Sequence, residues 1–435
     1  MKKRTEKLLA LATLLAMGTT ALASCGNKAA SGESASGEAK SEGKVALSMA
    51  IWDEKQRAMT ESLVEAYTKA HPNVSIEVQL TPYKGGEYWT KLEAAATGGK
   101  APDVFWLNVL HTDSYVDGGI LADLSDAIAK SDIKDNFPES LVNNYVRNGK
   151  NYAVPKDFDT NALWYNKEIF DEAGVSYPTN DMSYEDLVAK AEELKQAGLD
   201  EGVYPFACPV DFQTWYYQTV FANGGWILSE DKKTSGYEDP KTQGGIQCWI
   251  DMIDKELSPS SAALSETSAD AMFEGGQLAM TFAGSYMVPE YASNDNIKDK
   301  IDCVELPSFN GIETNCINGL GFAVYEGSKN KEAATEFAIW LSSKEAMDIQ
   351  GNTGVVISAR NESQELFAKS SDKYALAVYT AHTDKAYPLP VCKNAAQLYD
   401  MESKALQKAY SGEESLAEAC KALKTEADAF LAKNQ

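Results

Sequence analysis

The chain offers little that would break or make a covalent bond. It has only three histidines, His71, His111 and His382. His71 precedes Pro72 where a helix is expected to end, and capping a carbonyl is the ordinary role there. His111 and His382 have no cysteine, histidine or carboxylate at a metal-ligand spacing. No His-Glu-x-x-His, Gly-x-Ser-x-Gly or P-loop pattern occurs. Neither a metal nor a cofactor is therefore expected, and nucleophilic catalysis has no motif behind it. Paired carboxylates are a different matter, because a glycosidase needs only two, set apart by the fold. Among 64 Asp and Glu residues, Asp157 and Asp159 lie near Trp164. Two positions apart on an extended chain, they point the same way, which serves ligand hydrogen bonds as readily as acid/base work.

Aromatic residues beside polar ones are abundant. The chain has 8 Trp, 21 Tyr and 14 Phe. Several fall at expected strand ends or loops: Trp52-Asp53, Trp106-Leu107-Asn108, Trp215-Tyr216-Tyr217, Trp226 and Ser285-Tyr286. Taken singly, each ring is as well explained by core packing. Taken together, rings with Asp, Asn and Ser neighbours suit a sugar, whose C–H faces stack on aromatics while its hydroxyls need planar polar partners.

The elements that would position these residues alternate between strand and helix. Val45, Leu47, Met49 and Ile51 alternate at period 2, and so do Val74, Ile76, Val78 and Leu80. Between them, Glu54 to Ala70 places Met59, Leu63, Ala66 and Tyr67 on one helical face. A helix from Tyr88 to Thr97 stops at Gly98-Gly99, and Pro102 to Leu107 reads as a buried strand. Later, Ser183 with Asp186 starts a helix over Tyr184–Ala197 by a capping box. Ala279–Phe282 reads as a strand, as do Cys303–Leu306 and Gly321–Val324 on either side of an Asn310-Gly311 turn. The helix Lys331–Leu341 has one apolar side. This βαβ pattern predicts an α/β fold whose sheets are mixed but mostly parallel and flanked by helices. In open α/β sheets ligands bind beyond the carboxyl ends of strands.

With 435 residues the chain is long enough for more than one lobe. Its net charge of −24, with no basic stripe, excludes nucleic acid as an expected partner. The N-terminus gives an address. Met1-Lys2-Lys3-Arg4 precedes an apolar run from Leu8 to Ala23, the layout of a secretory signal. The run is short and only weakly hydrophobic for a membrane-spanning helix. It ends in Leu22-Ala23-Ser24-Cys25, which resembles the bacterial lipobox, so residues 1–24 are expected as signal and Cys25 as the lipidated first mature residue. Residues 25–44 are then a tether of small and polar residues with too little apolar surface to fold. Six further cysteines are widely and irregularly spaced, with no Cys-x-x-Cys, and are expected mainly as buried free thiols.

In order and spacing, several segments resemble the family 1 extracellular solute-binding proteins, the sugar-binding components of carbohydrate ABC importers. They are Ala50-Ile51-Trp52-Asp53 with Gln56, Tyr88–Leu92 leading into Gly98–Val104, Tyr152-Ala153-Val154-Pro155 and Asn161–Lys167. Phe273–Met280, Gly319–Val324 and the helix Glu332–Leu341 complete the set. The resemblance implies a type II periplasmic-binding-protein fold, with two lobes closing on ligand about crossing strands. Crossovers would lie near Pro155 and Pro307, with a return near Leu341–Lys344. Lobe 1 would hold residues 45–155 and 308–343, and lobe 2 residues 156–307 and 344–435. Carried onto this chain, the family's site implies Trp52, Asp53 and Gln56, then Asn108, Asp157 and Asp159. The second lobe would add Trp215, Tyr216, Trp226, Ser285 and Tyr286, followed by Asn318, Gly319 and Arg360. Trp52, Trp215 and Tyr286 would stack on the ligand, and Asp53, Asn108, Asp159 and Arg360 would bind hydroxyls. Many relatives carry Trp after the Gly-Ser pair, where this chain has Tyr286. The resemblance further implies a non-enzymatic, lipid-anchored monomer outside the cell that delivers its ligand to an ABC permease. A phosphate ligand is disfavoured, since Lys156 and Arg360 are the only cations expected in the cleft; a polyamine, which would suit the acidic cleft residues, is the second ligand class, and a secreted carbohydrate hydrolase is the alternative from another class.

Overall fold

The two period-2 segments become neighbouring strands of the larger of two main sheets. A computed structural model describes residues 43–83 and 86–434. The expected signal, Cys25 and all but the last residues of the tether lie outside the described residues. The first sheet contains β1 (Val45–Ile51), β2 (Val74–Leu80), β3 (Val104–Asn108), β4 (Ala153–Pro155) and β8 (Leu320–Val324), in the order β2-β1-β3-β8-β4. β1 runs parallel to both β2 and β3, while β8 is antiparallel to β3 and to β4. Its interior residues are buried on both faces, as in Val104, Phe105, Trp106 and Leu107, which is why this strand reads as a continuous apolar run.

The second sheet is β5 (Asn161–Asn166), flanked by β6 (Met280–Gly284) and β7 (Ile301–Val304). Both of its pairings are antiparallel, contrary to the mostly parallel expectation for this half. β5 is the chain arriving from the first sheet, and both neighbours run against it. The expected pairing about Asn310-Gly311 also differs. The turn is there, with Asn310 at φ 51° and Gly311 at φ 73° and a Phe309–Ile312 bridge across it. Such a pair suits the residue types that tolerate the left-handed region. The strands on either side, β7 and β8, belong to different sheets.

Helices cover both sheets. Arg57–Ala70 buries Met59, Leu63 and Tyr67, and His71 Nδ1 lies 2.9 Å from the Tyr67 carbonyl at its end. The capping box of Tyr184–Ala197 forms as read, with Ser183 and Asp186 bonded reciprocally. Lys344–Asn352 packs on Arg57–Ala70, and on that packing we propose that the return to the second lobe comes beyond this helix. The six described cysteines are buried and unbridged.

The two sheets aim their loops at one another. Register pairs Leu320 with Asn108 and Gly321 with Pro155. The carboxyl ends of β3 and β4 therefore share an edge with the amino end of β8, and parallel β1 ends there too. In the second sheet Asn161 pairs with Gly284, which brings the amino end of β5 together with the carboxyl end of β6.

Candidate binding cleft

At these edges lies a cleft of about 540 Å³. Trp52 follows β1 and is half-buried. Its ring is held by Tyr83, Tyr88, Trp89 and Trp106 at centroid separations of 5.9, 4.9, 5.5 and 5.1 Å. Behind Trp89, His111 stacks at 3.8 Å, and burial lowers its pKa to about 4. It is a neutral packing residue in ordinary conditions. A ring fixed on several sides loses little freedom when a ligand stacks on it.

Beneath Trp52, one polar chain joins the first wall to the crossing strands. Asp53 Oδ1 caps the Lys55 amide at 2.8 Å, and its Oδ2 accepts from Gln56 Nε2 at 2.9 Å. Gln56 Oε1 accepts from the fully buried Lys156 at 2.8 Å, and the Lys156 ammonium lies 4.4 Å from the Trp106 ring centroid. Lys156 is also paired with Asp157, whose other oxygen accepts the Leu320 amide at 3.0 Å. Burial of this cation is tolerable only because it is paired and hydrogen-bonded. Asn108 Oδ1 caps Val109–Asp117 by accepting from Leu110 at 3.0 Å.

The crossing strands meet at Asp159 and Asn318, whose backbones pair in an antiparallel bridge with N···O of 2.7 and 3.2 Å. Gln213 Nε2 donates to Asp159 Oδ2, and Gln213 Oε1 accepts from Asn318 Nδ2 at 3.3 Å. Burial, and then the neighbouring Asp157, push the Asp159 carboxyl well above its ordinary range. Gln213 reaches this position because Phe212–Tyr216 is a π-helical turn, capped by Asp211 Oδ1 accepting from the Thr214 amide at 2.7 Å. Such turns recur at functional sites. Ser285 and Tyr286 form the far wall, with Tyr286 42% exposed. Its ring lies over Gly284, where a Cβ would come within 2.2 Å of it.

Of the expected residues, Trp52, Asp53, Gln56, Asn108, Asp157, Asp159, Ser285, Tyr286 and Asn318 are brought together. Five are not. Trp215 is 5% exposed, its indole N–H donating to Ala207 O at 2.9 Å. Tyr216 is fully buried, because the π-helical turn sends it and Trp215 inward and Asp211 and Gln213 outward. Trp226 donates to Asp239 at 3.0 Å and packs over Gly236, outside the cleft. Arg360 is held by Asp132 through two nitrogens, at 2.7 and 3.2 Å, and by Glu362 at 3.3 Å. Gly319 has a packing duty, since a Cβ there would lie 2.4 Å from the Asp157 carbonyl.

The cleft also takes Glu54, Tyr83, Phe158, Asp211, Gln213, Leu320 and Val356. Tyr83 is findable by the rule that locates Trp52 and Asn108, since it lies beyond the carboxyl end of β2. Asp211 with Thr214 carries a capping signal, but nothing in the sequence announces a π-helical turn. Among the described residues no cluster of three or more His, Cys, Asp or Glu is placed to hold a metal ion.

Comparison with known proteins gives this geometry its context. The chain is 28% identical over 305 residues to the diacetylchitobiose-binding protein DasA of Streptomyces coelicolor, covering 67% of each chain. It is 24% identical over 416 residues to a maltooligosaccharide ABC transporter solute-binding lipoprotein of Streptococcus pneumoniae, covering 91% of this chain and 92% of the other. In fold it superposes, with a TM-score of 0.80 and 24% identity, on an ABC substrate-binding protein of Listeria monocytogenes solved with cycloalternan, covering 89% and 99% of the two chains. The family model for bacterial extracellular solute-binding proteins matches residues 52–348. The two-lobed architecture and the matched span together place this chain in the bacterial extracellular solute-binding protein family.

Proposed function

We propose that the protein binds a sugar or oligosaccharide between its lobes and delivers it to the permease of an ABC importer. The observation that carries this reading is the pairing of two aromatic walls, Trp52 and Tyr286, across a floor of hydrogen-bonding side chains. Apolar rings receive the C–H faces of a pyranose, while Asn108, Asp159 and Ser285 receive its hydroxyls. Relatives named for diacetylchitobiose and maltooligosaccharide support the ligand class. A lipid on Cys25 and a tether over residues 25–44 would hold a monomer at the outer face of the membrane. Support for the anchor is the Leu-Ala-Ser-Cys sequence itself; among the described residues no helix is long and apolar enough to cross a membrane.

The reading includes no turnover. Asp157 has both oxygens engaged, by Lys156 and by the Leu320 amide, so it is poorly placed to shuttle a proton. A thermal-shift screen of the full-length protein against mono- and oligosaccharides, with product analysis, tests both halves. Saturation by a ligand that binds only the folded state raises the midpoint by a few degrees. A rise with one sugar family and no cleavage is expected. Silence across all sugars, or hydrolysis of the sugar that binds, would contradict it.

A further inference from the structure

The cleft is unbalanced in charge. Five carboxylates line it, Asp53, Glu54, Asp157, Asp159 and Asp211, and among the described residues no lysine or arginine lines it. Asp157 is neutralised from beneath by Lys156, and Glu54 sits at the rim, 3.9 Å from Arg57. The other three carboxylates receive only neutral donors: Asp53 from Lys55 N and Gln56, Asp159 from Gln213, and Asp211 from Thr214 N. Closing such groups away from water is costly unless a cation joins them.

Asp159 accepts from Gln213, which fixes the Gln213 amide with its oxygen toward Asn318, and Asn318 spends its N–H on that oxygen. Asn318 lines the cleft, is only 6% exposed, and keeps its Oδ1 as a buried acceptor without a donor. The relay thus runs one way and ends on an atom that only a donor satisfies. An ammonium is donor in all its hydrogens and carries the missing charge. A hydroxyl supplies one donor and no charge.

Resting on the sugar-binding reading, we propose that the ligand is an amino sugar, a carbohydrate whose free, protonated amine is held at the Asp159–Asn318 end of the cleft.

Isothermal titration of the full-length protein with matched triplets tests this. The probes are glucosamine, N-acetylglucosamine and glucose, and the β-1,4-linked disaccharides built from each. The free amine is expected to bind at least about tenfold tighter than its acetamido and hydroxyl counterparts at low salt, and the margin should shrink at high salt. Asp159→Asn should weaken the amine by at least about tenfold and its neutral counterparts by less, so that the preference disappears, while an unchanged thermal midpoint of the unliganded variant separates lost charge from lost fold. A neutral member binding as tightly as the amine, or a preference untouched by D159N, overturns the amino-sugar assignment and leaves sugar binding standing. Silence from every sugar with a response to spermidine overturns the sugar reading itself.

Discussion

At the residue scale, the cleft depends on side chains whose freedom has been removed beforehand. Trp52 cannot swing away, because four rings hold it. Trp52→Ala should therefore cut affinity for the bound sugar by tenfold or more, about 1.4 kcal/mol, with little change in fold; calorimetric titration measures it. A different residue governs the response to pH. Glu402 is fully buried and accepts from Tyr217 at 2.8 Å, and burial pushes its carboxyl up to about 8 from an ordinary 4.5. The folded chain holds this proton where the unfolded chain releases it. Stability from this group is thus full below about pH 4.5 and is lost as pH rises through about 8. Asp270, pushed up to about 6 by burial, acts in the same direction. Glu402→Gln should weaken, though not abolish, the fall in urea midpoint between about pH 5 and pH 8. An unchanged slope would mean that Glu402 is ionised in the folded protein.

At the element scale, the π-helical turn and the crossing strands decide which residues reach the ligand. Asp211 caps the turn and also lines the cleft. Asp211→Ala should cost about 1 kcal/mol of stability, as lost caps do, and weaken binding by letting Gln213 drift from Asp159. A denaturant titration and a ligand titration on the same variant read the two effects separately. This turn also marks where the sequence stops being legible. The strand ends at Ile51 and Asn108 are set by alternation and apolar runs, so pattern alone places Trp52, Asp53 and Asn108. Asp157 and Asp159 need only an extended crossing segment. Trp215 and Tyr216 defeat the pattern, because an α-helical reading cannot foresee one extra residue in a turn, which rotates these two side chains into the core. Arg360 defeats it because its partner Asp132 lies 228 positions away, and no local pattern encodes such a pairing. The second sheet escapes for the same reason, since antiparallel β6 and β7 come from distant parts of the chain.

At the scale of the whole molecule, the lobes are joined by more than crossing strands. Lys55, beside the first wall, reaches Glu290 at 3.3 Å and Ser293 at 2.9 Å on the helix that comes after Tyr286. Both charged side chains are about two-fifths exposed, at 41% and 39%, so the pair is screened by water and salt. Lys55→Ala should change affinity by less than about fivefold, equivalent to under about 1 kcal/mol, and the change should vanish at high salt. A larger loss in the same titration would make this contact a true latch. The cleft between Trp52 and Tyr286 is proposed to take carbohydrate. The most direct test is a titration of the full-length protein with a panel of sugars, monitored by tryptophan fluorescence, beside the same titration of W52A. Saturable binding of one sugar class without turnover, weakened at least about tenfold in the variant, is the predicted result. A sugar that binds wild type and W52A alike, or a panel that binds neither, would contradict it.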